Sequence, residues 1–300
     1  MLDKFIQYAL HPVILISVLS AWLLIDSPFV FLGAIVGLHL VLGTLEYMRP
    51  ARSAWVSPAL NKLGALVLVI VLFVASTMVG GLYDNQLLAP FSQVSTTLGL
   101  NFWPHSWPLL VQAFMVFLAS EFIWYWIHRA EHKWHFVWRL SGHGAHHSFK
   151  QLNALNFGLN HPLELFFLAL PSALIGMLFG VEEAALGASI LVVTQASIAH
   201  SNLKMSSKWI DLFFTTNRHH VGHHSMVLEQ SNTNYGCATL VWDRLFGTFV
   251  DGDTQECGTG PTEPTLLQKL VMPIREPQDT SVARRRIPIR IKQQNAIRAG

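Results

Sequence analysis

The sequence predicts an all-α integral membrane protein, a bundle of four to six transmembrane helices under a cytoplasmic helical cap rich in histidine. Three features carry that expectation: how few charges the chain has, where they fall, and how its histidines are spaced. Of 300 residues, 51% are hydrophobic and 13% charged, about half of the ~25% charged fraction of soluble domains. The deficit is concentrated in six stretches: Phe5–Ile25, Ser27–Leu45, Leu63–Tyr83, Asn101–Ser120, Leu165–Val181 and Ala184–Leu203. Each runs 17 to 21 residues without Asp, Glu, Lys or Arg. About 20 apolar residues at 1.5 Å rise cross a hydrocarbon core of ~30 Å. A soluble protein burying six such helices needs a water-facing shell that 20 basic and 18 acidic residues do not supply.

The first stretch resembles a secretion signal in its weakly basic start, but no small-x-small cleavage site closes it, so it reads as an uncleaved span. Arg49, Arg52 and Lys62 follow the second stretch; Arg129, Lys133, Arg139 and Lys150 follow the fourth; Lys204, Lys208 and Arg218 follow the sixth. The remaining connections hold only Asp26, Asp84 and the pair Glu182-Glu183. The positive-inside rule then puts the N-terminus, both basic loops and the C-terminal third in the cytoplasm. Six passes satisfy the rule; the short fifth and sixth stretches also suit a hairpin that does not fully cross.

The chain divides into N-terminal helices over 1–100, a histidine-bearing region over 101–250 and a basic tail over 251–300. The tail ends in "ARRRIPIRIKQQNAIRAG", either a solvated segment or one drawn to anionic head groups. Cys237 and Cys257 have no metal-binding spacing and read as reduced thiols. With a net charge of +2, no nucleic-acid partner is expected.

Twelve of the 15 histidines lie between His128 and His224, in or beside segments the charge rule makes cytoplasmic. "WIHRAEHKWH" carries His128 and His132 at i, i+4. "SGHGAHHSF" carries His143, His146 and His147 at i, i+3, i+4, and "RHHVGHHS" repeats that spacing in His220, His223 and His224. Residues three and four apart share a helix face, and neutral imidazole is the commonest metal ligand among side chains. Eight histidines exceed the four to six ligands of one ion, so two metals are implied. His161 in "NFGLNHPLE" and His200 in "QASIAHSN" open and close the fifth and sixth spans at the same level. Adding them gives ten ligands, five per metal with an open position on each. Glu164 is placed to accept the other N–H of His161. His135 and His219 read as outer or surface residues, and His11, His39 and His105 receive no role.

Two other readings fit parts of this pattern. "HRAEH" matches H-x-x-E-H, in which His128 and His132 bind zinc and Glu131 is the general base of a membrane hydrolase; it leaves the other clusters unexplained. A histidine-rich metal carrier needs polar ligands midway along its spans, where only His39 is found.

The three clusters together resemble the fatty acid hydroxylase/sterol desaturase superfamily of membrane non-haem di-iron oxygenases. The pattern H-x3-H, H-x2-H-H, H-x2-H-H stands here as His128/His132, His143/His146/His147 and His220/His223/His224. "HPLE" at 161–164, "HSN" at 200–202, "NYG" at 234–236 and "WDRLFGTF" at 242–249 are similar to further family stretches. The resemblance covers about 100 to 250, so that 101–250 reads as a fatty acid hydroxylase-like catalytic domain.

The resemblance implies two Fe ions, with Zn able to replace them in purified protein, and O2-dependent hydroxylation or desaturation of a C–H bond in a sterol, fatty acyl chain or other membrane lipid. It also implies an external electron donor, a b5-like haem protein or a ferredoxin with its reductase, since the chain has no G-x-G-x-x-G and no C-x-x-C-H. Its compact form and lack of a terminal ER-retrieval signal favour a bacterial inner membrane, with the ER as the eukaryotic counterpart.

Overall fold

The computed structural model describes residues 1–27, 29–56, 58–205, 209–254 and 256–276. Lys208 and the basic sequence from 283 onward lie outside the described residues. Among those described, regular structure is helical and strand pairing is limited to two isolated bridges, Phe214 with Thr239 and Ser225 with Cys257.

Helices α1 (Leu2–Tyr8) and α2 (Leu10–Leu24) bend by 64° at Ala9 and together are long enough for one span. α3 (Val30–Met48), α4 (Ala59–Leu98) and α5 (Leu109–Lys133) follow. Among the described residues, three helices are long and apolar enough to cross a membrane, in α3, α4 and α5, or four if the bent pair counts as one. α4 stays helical over the 37 residues Lys62–Leu98, about 56 Å at 1.5 Å per residue, so it outruns the stretch expected over 63–83. α5 starts at Leu109 because Pro108 supplies a pre-set φ and has no N–H to leave unpaired. It runs to Lys133 and so carries His128 and His132 on the last turns of an apolar helix.

Past α5 the helices are short: α6 (His135–Ser141) and α7 (His143–His147). α8 (Glu164–Phe179), at 16 residues, is apolar but short for a span. α9 (Glu182–His200) is the central helix. It packs on α2, α3, α5 and α8, and it buries Thr194, Gln195 and Ser197 among its apolar residues. Two of these are paired: Gln195 accepts from His11 at 2.7 Å and donates to the Thr215 carbonyl at 2.6 Å, and Ser197 donates to the Val193 carbonyl at 2.7 Å. The remaining helices are α10 (Ile210–Phe213), α11 (Asn217–His223), α12 (Leu228–Ser231), α13 (Val241–Phe246) and α14 (Leu266–Leu270).

Two apolar clusters hold the bundle. Val116 and Phe117 of α5 meet Ile175 of α8 and Ala184, Ala188 and Leu191 of α9. Ile6, Leu10, Leu38 and Leu42 from the first three helices close on Ile198, at the histidine end of α9. Glu46, buried at the end of α3, clamps the same end by accepting the N–H groups of Ala154 (2.8 Å) and Asn202 (2.9 Å). The N-terminal helices are thereby tied to the segment that follows His200.

Candidate metal centre

α5, α7, α9 and α11 converge at one end of the bundle and bring nine histidines together. Five form one group, His128, His132, His143, His147 and His223; four form a second, His146, His200, His220 and His224. In the first, His128 Nε2 lies 3.0 Å from His143 Nε2 and 3.1 Å from His223 Nε2. His132 Nε2 lies 3.2 Å from Nε2 of both His143 and His147. In the second, His200 Nε2 lies 3.1 Å from His146 Nε2 and 3.0 Å from His220 Nε2, and His224 Nε2 lies 3.1 Å from His220 Nε2. The groups adjoin, the rings of His147 and His224 stacking at 4.3 Å.

The sequence clusters do not map one to one onto these groups. His143 and His147, at i, i+4, serve the first group while His146 turns to the second. His220 of α11 and its i+4 partner His224, which caps that helix, belong to the second group, and His223 turns to the first. Consecutive residues on a helix point about 100° apart, so a helix lying between two centres feeds both. The distribution is five and four, against the expected five and five.

The difference is His161. Its Nδ1 accepts the Leu163 N–H at 3.1 Å, and its Nε2 donates to the Leu270 carbonyl at 3.0 Å. Both nitrogens are taken, and the structure brings it to neither group. Gly142, with φ +76, lets this ring lie against the backbone, since a Cβ there would collide with it. Glu164 does not serve His161 as expected. Its Oε1 accepts from His143 Nδ1 at 2.6 Å, with Glu131 Oε2 at 3.6 Å from the same atom.

Hydrogen bonds behind the rings decide what the nitrogens inside can do. His128 Nδ1 faces the Tyr235 carbonyl at 2.6 Å, His223 Nδ1 the Thr233 carbonyl at 2.7 Å and His200 Nδ1 the Ala196 carbonyl at 2.8 Å. A carbonyl only accepts, so each Nδ1 carries the proton and each Nε2 is a bare lone pair in the neutral ring. Bare lone pairs at 3.0–3.1 Å, as between His128 and His223, repel unless a cation lies among them. Metal–nitrogen bonds of ~2.0–2.1 Å at tetrahedral to octahedral angles put nitrogens about 2.9–3.4 Å apart, which the observed spacings match. Burial first, and repulsion by neighbouring imidazoles second, hold His143, His146, His147, His220, His223 and His224 well below the ordinary imidazole value. They are therefore neutral at pH 7, as ligands must be. The donor set fits first-row transition metals.

The carbonyl acceptors are the part that motif reading missed, and "NYG" was the signal for one of them, Tyr235. Asn234 adopts φ 51 and braces the turn by donating to the Val250 carbonyl and accepting its N–H. At Gly236 a Cβ would run into the Thr239 carbonyl. Asp243, from "WDRLFGTF", accepts the N–H groups of Tyr235 and Gly236 at 2.8 and 2.7 Å. Together they aim the Tyr235 carbonyl at His128. His135 pairs with Glu276 near the surface, and His219 is buried beside Thr216. His11 and His39 serve helix packing through Gln195 and the Ile35 carbonyl.

The segment that carries these histidine groups is similar to known proteins. Residues 113–248 match the fatty acid hydroxylase family. An ornithine lipid hydroxylase, OlsE, of Rhizobium tropici is 34% identical over 163 residues, covering 54% of this chain and 49% of the relative. Human alkylglycerol monooxygenase is 24% identical over 151 residues, 50% of this chain and 33% of the relative. Rat lathosterol oxidase is 26% identical over 170 residues, 53% of this chain and 52% of the relative. The matches thus span about half or less of the relatives' own length. No solved structure matches the chain.

Proposed function

We propose that this protein is an O2-dependent membrane oxidoreductase that hydroxylates or desaturates a C–H bond of a membrane lipid at a centre of two iron ions. The observation that carries the reading is the pair of adjacent groups of inward-facing Nε2 atoms. In this reading His128, His132, His143, His147 and His223 hold one ion, and His146, His200, His220 and His224 the other. Iron bound there would supply the reductive activation of O2. The protein's part is to fix ring orientation through Tyr235, Thr233, Ala196 and Glu164, and to bury the ligands away from bulk water.

Hydroxylation puts one oxygen atom of O2 into the product and the other into water, taking two electrons and two protons from outside. A b5-like haem protein or a ferredoxin with its reductase, meeting a cytoplasmic face of a bacterial inner membrane, would deliver the electrons. That the named relatives are an ornithine lipid hydroxylase, an alkylglycerol monooxygenase and a lathosterol oxidase supports a lipid substrate. Residues 101–250 would form the catalytic unit, with the described part of 251–276 packed against it.

The zinc hydrolase reading places Glu131 as a base beside a metal-bound water. Glu131 instead lies behind His143, nearest its outer nitrogen Nδ1, and His128 and His132 belong to a five-membered group. Both points favour oxidation. Comparing lipid extracts of cells with and without the gene by mass tests the proposal. Products heavier by one oxygen, or lighter by two hydrogens, are expected; an unchanged lipid profile, or lipids cleaved by water, would contradict it.

A further inference from the structure

Two segments distant in sequence meet at the histidine end of α5. α6 follows α5 across the single residue Trp134, so it begins where the apolar helix ends. Residues 273–276 lie against it, and α14, just before them, packs on α7. Arg139 donates from Nε and Nη2 to the Pro273 carbonyl at 3.1 and 2.9 Å, and from Nη2 to the Ile274 carbonyl at 2.6 Å. His135 Nε2 pairs with Glu276 at 3.0 Å. On the inner side Met272 is buried next to Gly144 of α7, and Leu270 accepts the His161 ring. This strap is fastened to the helix that carries His143, His146 and His147.

Its outer side is apolar. Phe136 is 74% exposed, Leu267 70% and Ile274 84%, with Trp134, Leu140 and Leu270 also exposed. Single exposed apolar residues are ordinary, but six large ones on two segments joined through Arg139 are more than chance exposure and suit an apolar contact surface. Exposed cations flank it: Lys133, with Nζ 5.7 Å from the Trp134 ring centroid, and Arg275. In sequence, the arginines and lysine between Arg284 and Arg298 follow, against the single carboxylate of Asp279.

We propose that this face is a membrane-surface anchor, seated in the interfacial layer of a bilayer that bears anionic head groups. Three observations select a bilayer over a protein partner. The patch starts one residue past a helix long and apolar enough to cross a membrane, where head groups would lie. Tryptophan, phenylalanine and leucine beside lysine and arginine are the composition of that layer. The cationic flank and the basic sequence beyond it complement anionic lipid. Because the strap's inner side is fixed to α7, the lipid surface and the second histidine cluster are mechanically joined.

The test reads depth, independently of metal or activity. The full-length protein in lipid nanodiscs carries an NBD fluorophore on Leu267→Cys or Ile274→Cys, with Glu229→Cys as an exposed control and the parent chain, which keeps Cys237 and Cys257, as the labelling blank. In nanodiscs containing phosphatidylglycerol, probes at 267 and 274 should emit to the blue of the control and be quenched at least two-fold more by brominated lipid. Replacing phosphatidylglycerol with phosphatidylcholine should weaken that quenching. Quenching equal to the control overturns the anchor. A blue shift without lipid quenching also overturns it, since that outcome means a protein surface covers the patch. Should either cysteine variant misfold, the same comparison made with Phe136→Cys decides the question.

Discussion

Glu164 Oε1 sits 2.6 Å from Nδ1 of His143, with both side chains buried. This pair sets the tautomer of a ring whose Nε2 lies within 3.2 Å of Nε2 on both His128 and His132. Outer-shell carboxylates of this kind raise metal affinity about 10- to 100-fold. Glu164→Ala should therefore weaken metal binding by that factor while leaving the helices intact. Competition with a calibrated chelator measures it, and unchanged affinity would remove Glu164 from the account.

The two groups differ in how their outer nitrogens are held. In the first, His128, His132, His143 and His223 each have an acceptor at Nδ1, namely Tyr235 O, Asn232 Oδ1, Glu164 and Thr233 O. In the second, His200 has one, whereas the buried Nδ1 atoms of His146, His220 and His224 find no hydrogen-bond partner among the described residues. Metal should leave the second group first. Chelator-driven loss should run in two phases, and His220→Ala should abolish the faster. A single phase in the parent protein would contradict this asymmetry.

Acid should destabilise the metal-free protein. The folded-state values of His143, His146, His147, His220, His223 and His224 lie well below the ordinary one, mainly through burial. The unfolded chain takes up protons near pH 6.5, where the folded site does not. The unfolded state then binds more protons, so stability falls as pH drops below ~6.5 and is unaffected by these groups well above it. Melting midpoints at pH 7.5 and 5.5 should differ, the acid one lower. Equal midpoints would mean the imidazoles are not held neutral.

Glu46 joins the N-terminal helices to the site through the N–H groups of Ala154 and Asn202, with Lys62 3.2 Å from its other oxygen. Glu46→Ala strands two buried amides, about 1–3 kcal/mol each. The melting point should drop, and occupancy of the second group should fall with it, because Asn202 lies two residues past His200. Parent-like melting and metal content would show the clamp to be dispensable.

How far the sequence carried depends on the residue. The eight clustered histidines were legible because i, i+3 and i+4 spacing leaves few other uses for imidazole, and His200 because it ends a helix at the same level. The split of α7 and α11 between two groups was not, since it depends on where each helix lies between the centres. His161 shows the limit: its position at the head of α8 matched a ligand's, yet Leu163 and Leu270 claim both of its nitrogens. Backbone acceptors such as Tyr235 O carry no side-chain signature and surfaced only as "NYG". Charge-free stretches located most of the helices, but the shift of the fourth from 101–120 to Leu109–Lys133, the length of α4, the bend at Ala9 and the buried polar residues of α9 follow from packing that composition does not encode.

Metal stoichiometry is the most direct test of the central claim. Elemental analysis of the purified protein, loaded with iron under reducing conditions, should give two equivalents per chain, falling to one in His220→Ala. An active parent protein holding a single equivalent of zinc, with Glu131→Gln inactive at full zinc occupancy, would contradict the two-iron account.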